Sequence, residues 1–201
     1  MTIGSHCRAT QLTTVIVALA LFACAGDGDT VRVIDSTLQE RAPHLTSRDR
    51  RGIAKELIRA ESRTGVDALL LLALMEEESH YKLRAKSQRG ALGLLQVQPA
   101  TGRDVAERHQ IPWNGPDSLF EPAVNILIGA TYLSELKQRF GSWELALAAY
   151  HQGPTKTNRI LRRGRTPSSR YAGRVLRRFE ALRDKSINKL SRRCEAETRC
   201  A

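Results

Sequence analysis

The chain has 201 residues and a formal net charge of +11 at pH 7; 41% of its residues are hydrophobic and 5% are aromatic. This length suits one domain with a leader and tails, and the apolar fraction is enough for a core of ordinary size. Abundant Ala, Leu and Arg favour helices. No apolar run after the leader reaches 20 residues, which excludes an ordinary membrane-spanning helix there.

Residues 1–24 have the pattern of a secretory signal. Arg8 and the amino terminus supply positive charge ahead of a mostly apolar run at residues 12–23, which is too short to span a membrane comfortably. We therefore expect this segment to be removed and the protein to be exported. The alternative, a buried amino-terminal helix, is disfavoured because the polar sequence GDGD at residues 26–29 ends the apolar run abruptly.

Two cleavage sites fit the end of the signal. The sequence LFAC at residues 21–24 resembles a lipoprotein box, which would leave Cys24 as the lipidated first residue of the mature chain. Residues 23–25 also fit the small-x-small pattern of ordinary signal peptidase. Lipidation of Cys24 is the preferred interpretation, although Phe22 is bulky for a lipoprotein box.

The other cysteines agree with export. Cys7 lies in the leader, and Cys194 and Cys200 lie in a charged tail at residues 186–201. In an oxidising compartment the last two are predicted to form a disulfide, with free thiols or an intermolecular pair as alternatives. The five histidines are scattered, so the sequence predicts no metal site and no cofactor.

Residues 25–46 are predicted to be a polar linker without a sustained period. The folded domain is predicted at residues 47–185, beginning with a helix that Thr46 or Ser47 can cap. Gly65 is predicted to end that helix, and Asp67 can cap the next one.

The next helix carries the first chemical signal. Residues 68–75, ALLLLALM, are apolar on every side, as in a helix enclosed by a core, and Glu76, Glu77 and Glu78 follow at once. A carboxyl group at the mouth of such a helix has poor access to water, so its pKa should rise and it can act as a general acid near neutral pH. The helical period allows at most one or two of the three to face a common pocket.

A polar, glycine-containing segment follows the glutamates. It contains Ser87, Gly90, Gly93 and Gln96. Glycines let a backbone approach a ligand closely, and the Gln96 carboxamide offers both a donor and an acceptor.

The remaining pattern is helical except for one loop. Helices are predicted over residues 101–109, 121–140 and 143–150, with a loop at 111–122. Within the loop, Trp113 either stacks on a sugar or pins the loop to the core. Tyr150, beside a glycine-proline turn, either reaches a cleft or is a core tyrosine with a satisfied hydroxyl.

Most of the positive charge lies near the carboxyl end. Residues 155–185 contain eleven Lys or Arg and two acidic residues, a net charge of +9. Such a block can be a solvated helix face, a nucleic-acid patch or an electrostatic guide toward a polyanion. For an exported protein, guidance toward the cell wall or anionic lipid head groups is preferred.

Four motifs in order carry a resemblance to a known family. They are Glu78-Ser79, the stretch from Ser87 through GALGLLQVQPAT at residues 90–101, Asn125-x3-Gly129-x2-Tyr132-Leu133, and AAYHQGP at residues 148–154. Together they resemble the soluble-type lytic transglycosylases, relatives of goose-type lysozyme. The resemblance covers roughly residues 50–180.

The resemblance implies an all-α, lysozyme-like single domain in which Glu78 is the sole catalytic acid/base. It implies non-hydrolytic cleavage of the MurNAc-β-1,4-GlcNAc bond of peptidoglycan glycan strands, with 1,6-anhydromuramoyl products. The substrate-binding residues that it implies are Ser87, Gly90, Gly93, Gln96, Tyr150 and Tyr171. The expected location is the periplasm, with an outer-membrane anchor if Cys24 is lipidated, and no nucleic-acid partner is expected.

One departure and two alternatives accompany this prediction. His151 stands where the family usually has asparagine, and an imidazole cannot supply the paired donor and acceptor of a carboxamide. A hydrolysing muramidase or chitinase would need a second carboxylate, with Glu76, Glu77 or Asp104 as nearby candidates. The other alternative is a wall-binding or nucleic-acid-binding module that has lost its activity.

Overall fold

The computed structural model describes residues 27–199. The predicted signal and the predicted lipidation site at Cys24 lie outside this range, as does Cys200. Cleavage, lipidation and the Cys194–Cys200 disulfide therefore stay predictions. Among the described helices, none combines the length and the apolar character needed to cross a membrane.

The described residues form a helical domain, which confirms the all-α prediction. Two isolated β-bridges, Lys86 with Leu92 and Leu92 with Val97, are the only extended pairings within residues 27–199. A short 3₁₀-helix spans Pro116–Phe120. The α-helices are α1 Asp27–Arg41, α2 Ser47–Thr64, α3 Ala68–Ser79, α4 Pro99–His109, α5 Pro122–Phe140, α6 Trp143–Gln152, α7 Pro154–Arg162 and α8 Arg170–Arg199.

The residues that the sequence predicts to cap or end α2 and α3 do so in the structure. Thr46 caps α2 in a capping box with Asp49, whose backbone N–H donates to the threonine hydroxyl at 3.1 Å. Gly65 ends α2 in the left-handed region. Asp67 caps α3 by accepting from the Leu69 N–H at 2.7 Å.

The linker prediction for residues 25–46 is wrong over most of its length. Residues 27–41 form α1, which buries Val33, Ile34 and Leu38 completely. These three apolar residues recur at helical spacing among polar ones, and α1 packs on α2, α3 and α8. Burial of these three residues against the core stabilises α1, although the composition of this segment alone does not predict a helix.

The apolar run in α3 is the centre of the core. All eight residues from Ala68 to Met75 are buried, and α3 contacts α1, α2 and α8. The longest helix, α8, continues through most of the predicted charged tail. Helix α5 packs on α2 and α6, and the space between these helices and the end of α3 holds the candidate site.

Candidate active site

Glu78 lies in the last turn of α3, just before His80 ends the helix in a left-handed conformation. Its Oε1 atom accepts a hydrogen bond from the Tyr171 hydroxyl at the start of α8. Burial raises the pKa of Glu78 from 4.5 to about 7; the Tyr171 hydrogen bond opposes this rise and the charge of Glu77 adds to it. A carboxyl group with this pKa is a competent general acid near neutral pH.

Glu76 belongs to a network of hydrogen bonds and ion pairs on the opposite side of the end of α3. Its carboxylate accepts from Arg41 at 3.0 Å, from Arg178 at 2.9 Å and from the buried Tyr81 hydroxyl at 2.8 Å. This network ties α1 and α8 to α3. Glu76 therefore faces away from Glu78 and has little capacity left for a substrate.

The other two acidic candidates are also paired. Glu77 accepts from the Arg174 Nε atom at 2.8 Å. Asp104 accepts from Arg108 on the exposed side of α4. Neither carboxylate lines the cleft that contains Glu78.

The cleft has a volume of about 420 Å³ and opens beside Glu78. It lies between the loop at residues 80–98, called the signature loop here, and helices α4 to α7. Among its described lining residues, Glu78 is the one carboxylate. Within residues 27–199 no group of three or more His, Cys, Asp or Glu side chains is placed to hold a metal ion.

Asn125 holds the signature loop against α5. Its Oδ1 atom accepts from the Leu95 N–H at 2.8 Å, and its Nδ2 atom donates to the carbonyls of Leu92 and Leu119 at 2.9 and 2.8 Å. The side chain is 1% exposed. A Cβ atom at Gly93, which has a φ of 75°, would overlap both the Leu119 carbonyl and the Asn125 carboxamide, so this position requires glycine.

Ser87 and Gln96 both line the cleft, but each side chain also forms hydrogen bonds with the backbone of the signature loop. The Ser87 hydroxyl accepts from the Ala91 N–H at 3.0 Å. The Gln96 Nε2 atom donates to the carbonyls of Ala85 and Gly93 at 3.3 and 3.0 Å. The acceptor Oε1 of Gln96 is consequently the end of the carboxamide that is left for a ligand. Gly90 shapes the turn that follows Ser87, with a φ of 79°.

The sequence offered two interpretations of Tyr150, a side chain that reaches a cleft or a core tyrosine with a satisfied hydroxyl, and the structure supports both. It lines the cleft, and its hydroxyl donates to the Leu95 carbonyl at 2.8 Å. Burial, followed by the nearby charge of Glu78, raises its pKa well above the ordinary value, so it stays protonated. Tyr150 therefore supports the loop from within the cleft wall.

His151 stacks on Tyr171, with ring centroids 4.1 Å apart and an angle of 16° between the planes. Burial, followed by the charge of Arg174, lowers its pKa. The neutral imidazole thus forms a flat wall behind the tyrosine that contacts Glu78. The sequence identified this position as a departure from the family's usual asparagine and gave no signal of the stacking.

Trp113 lies outside the cleft lining. It is packed against α4, where a Cβ atom at Gly102 would lie 3.0 Å from its Cη2 atom. Of the two interpretations offered by the sequence, the structure supports the one in which this residue pins the loop.

The chain matches a family model and several named relatives. The family model described as "Transglycosylase SLT domain" matches residues 56–171. The chain is 35% identical over 155 residues to the membrane-bound lytic murein transglycosylase C of Pectobacterium atrosepticum, covering 75% of this chain and 40% of the relative. It is 34% identical over 106 residues to the soluble lytic murein transglycosylase of Escherichia coli K12, covering 52% and 15%. The chain thus spans less than half the length of these relatives.

Two solved structures resemble the fold. An inactive mutant of the lytic transglycosylase Slt from Pseudomonas aeruginosa is 25% identical, with a TM-score of 0.53, over 71% of this chain and 24% of that one. The 70 kDa soluble lytic transglycosylase from Escherichia coli is 28% identical, with a TM-score of 0.51, over 68% and 22%.

Proposed function

The chain belongs to the transglycosylase SLT domain family, and from this membership we propose that it is a lytic murein transglycosylase. It cleaves the MurNAc-β-1,4-GlcNAc bond of peptidoglycan glycan strands without water and leaves a 1,6-anhydromuramoyl end. Relatives that match 39–42% of their length to this chain carry the name lytic murein transglycosylase.

One observation supports this function over hydrolysis: Glu78 is the single carboxylate among the described residues of the cleft. A hydrolase with two carboxylates needs the second one aimed at a nucleophilic water or at the sugar. The three candidates for that role, Glu76, Glu77 and Asp104, are each held by arginine outside the cleft. A mechanism with one carboxyl group fits this arrangement.

In the first step, the protonated Glu78 carboxyl donates its proton to the oxygen that links the two sugars. The bond between that oxygen and C1 of the muramic acid breaks, and the oxygen of the sugar's own 2-acetamido group bonds to C1. Glu78 is left as a carboxylate. Its pKa of about 7 supports this step because the group is protonated in much of the enzyme at neutral pH.

In the second step, the Glu78 carboxylate removes the proton of the C6 hydroxyl of the same muramic acid. The C6 oxygen attacks C1, the bond from the acetamido oxygen breaks, and the anhydro ring closes. Glu78 is then protonated again, so acid, base and product balance without a water molecule. Ser87, Gln96 and Tyr150 orient the sugar at the cleft wall in this proposal, with Gly90 and Gly93 shaping the loop.

Location and anchoring belong to the same proposal. The signal pattern at residues 1–24 supports export to the periplasm. Lipidation of Cys24 would attach the protein to the outer membrane, and several relatives are named as membrane-bound.

Mass spectrometry of the soluble products from intact sacculi tests the reaction. We expect the chain to release muropeptides with anhydro ends. Products with reducing ends, heavier by one water, would contradict the proposal and indicate a hydrolase. The absence of products, with tight binding to sacculi retained, would favour a binding module that has lost its activity.

The pH dependence of kcat/KM tests the hydrogen bond between Tyr171 and Glu78. We expect kcat/KM of the wild type to fall as pH rises through about 7, because Glu78 must be protonated for the first step. Tyr171→Phe removes a hydrogen bond that lowers the pKa of Glu78, so its alkaline limb should move to higher pH. Tyr81→Phe is the matched control, because it removes a phenol from Glu76 instead. An alkaline limb that moves to lower pH in Tyr171→Phe, or moves equally in both variants, would contradict this assignment.

A further inference from the structure

Within the described part of the chain, the Glu78 carboxyl group accepts one side-chain hydrogen bond, from the Tyr171 hydroxyl. This bond lowers the pKa of Glu78 against the effect of burial, so the position of the hydroxyl affects how readily Glu78 gives up its proton. Tyr171 is 7% exposed, and burial raises its own pKa well above the ordinary value, so it remains a donor. The contacts that hold the Tyr171 ring therefore bear on the chemistry at Glu78.

Tyr171 lies at a point where its own helix constrains the side chain weakly. It is the second residue of α8 and follows residues 163–169, which include a turn and an irregular segment. In a helix interior the preceding turn excludes one of the three χ1 rotamers, whereas the second residue of a helix has no preceding turn. Contacts of the side chain itself must therefore select the rotamer that directs the hydroxyl at Glu78.

His151 supplies such a contact from a different helix. The two rings are nearly parallel, with their centroids 4.1 Å apart, and His151 is the second-last residue of α6. The hydrogen bonding of α6 continues past His151, because the Gly153 N–H donates to the Ala149 carbonyl at 2.9 Å. The described residues offer the His151 side chain no hydrogen bond and no ion pair. Stacking on Tyr171 is thus the contact that orients the imidazole.

The charges around His151 keep its imidazole neutral near pH 7. After burial, the charges of Arg174 on α8, Arg89 in the signature loop and Lys156 on α7 lower its pKa. Glu77 on α3 opposes them, and the net effect is a pKa below the ordinary 6.5. A neutral ring brings no charge to the cleft. Any influence of His151 on the acid/base is therefore exerted by packing and not by a Coulomb interaction.

We propose that His151 is a positioning residue: by stacking on Tyr171 it holds the phenol hydroxyl at the Glu78 carboxyl group and so fixes the geometry of the acid/base. The catalytic consequence rests on the proposed function, in which Glu78 carries the proton. Groups around a reacting side chain must be held by packing if the site is to keep its geometry. The asparagine that is usual at this position has no aromatic face, so this role belongs to the histidine of this chain.

The test follows the titration of Glu78 by carbon-13 NMR of the glutamate side-chain carboxyl groups, and Glu78→Gln identifies the signal. His151→Ala removes the stacked ring. His151→Phe replaces it with a ring that can stack and has no titratable group. The matched control is His109→Ala, which removes a histidine from the last turn of α4, where it contacts Glu135 outside the cleft.

We expect the pKa of Glu78, about 7 in the wild type, to rise by about 0.5 unit in His151→Ala, because the Tyr171 hydrogen bond that lowers it is weakened. His151→Phe and His109→Ala should titrate as the wild type does. The alkaline limb of kcat/KM should move with the pKa. A lower pKa in His151→Ala would overturn the proposal, because the ring would then act by shielding Glu78 from water. Equal shifts in His151→Ala and His151→Phe would also overturn it.

A double-mutant cycle tests whether His151 acts through Tyr171. In Tyr171→Phe the hydroxyl is absent, so adding His151→Ala should produce no further rise in the pKa of Glu78. A rise of the same size in that background would overturn the proposal, because His151 would then reach Glu78 by another route. The titration does not depend on cleavage of a glycan strand. Coupling of the three residues without anhydro-ended products would therefore contradict the proposed function while supporting this inference.

Discussion

Glu78→Gln is expected to lower kcat on sacculi by about 10² to 10⁴, the usual contribution of a general acid/base. The carboxamide keeps the size of the side chain but can neither donate a proton to the leaving oxygen nor remove one from the C6 hydroxyl. Both proposed steps therefore lose their proton carrier. The rate of release of anhydro-ended products is the measurement, with protein concentrations matched by absorbance.

Glu77→Gln is the matched control, because it changes the adjacent carboxylate, which pairs with Arg174 outside the cleft. We expect it to keep most of the activity. Equal losses in the two variants would contradict the assignment of Glu78 as the acid/base.

A measurement of the free energy of unfolding tests whether unfolding causes the loss of activity in Glu78→Gln. The pKa of Glu78 is higher in the folded chain, about 7, than its ordinary value of 4.5, so the folded state loses stability as pH rises through this window. Glutamine carries no such titration. At pH 8 the variant should be more stable than the wild type by up to about 3 kcal/mol, and the gain should disappear below pH 4.5.

Asn125→Leu is expected to reduce the free energy of unfolding by about 3 to 5 kcal/mol. Leucine has a similar volume but leaves the Leu95 N–H and the carbonyls of Leu92 and Leu119 buried without partners. Each unsatisfied group costs about 1 to 3 kcal/mol. This total is a large fraction of the stability of an ordinary domain.

Urea unfolding measures this effect, and Asn188→Leu provides the control at an exposed position on α8. The control should unfold within about 0.5 kcal/mol of the wild type. If Asn125→Leu unfolds as late as the control, the carboxamide does not hold the signature loop.

Predictions from sequence succeeded where the cause is local. Thr46, Gly65 and Asp67 act at helix ends through their own backbone or the next turn, so their positions are readable from a few neighbours. The raised pKa of Glu78 was also predictable, because the apolar run that buries it is adjacent in the chain.

Predictions failed or stayed open where the cause is distant. Helix α1 is stabilised by packing on α2, α3 and α8, and its own composition resembles a linker. The hydrogen bond between Tyr171 and Glu78 joins residues 93 positions apart, which no local pattern indicates. Asn125 is an exception among these distant contacts. A carboxamide on an otherwise apolar helix face needs buried hydrogen-bond partners, so the sequence does indicate that Asn125 has them.

Three successive turns of α8 meet the three glutamates in reverse order. Tyr171 contacts Glu78, Arg174 contacts Glu77, and Arg178 contacts Glu76. A chain synthesised from its amino end presents α3 long before α8 emerges. The three glutamates of α3 therefore lack Tyr171, Arg174 and Arg178 until α8 has been synthesised. Completion of the candidate site is thus coupled to synthesis of α8, and a chain that lacks this helix does not acquire the geometry of the site.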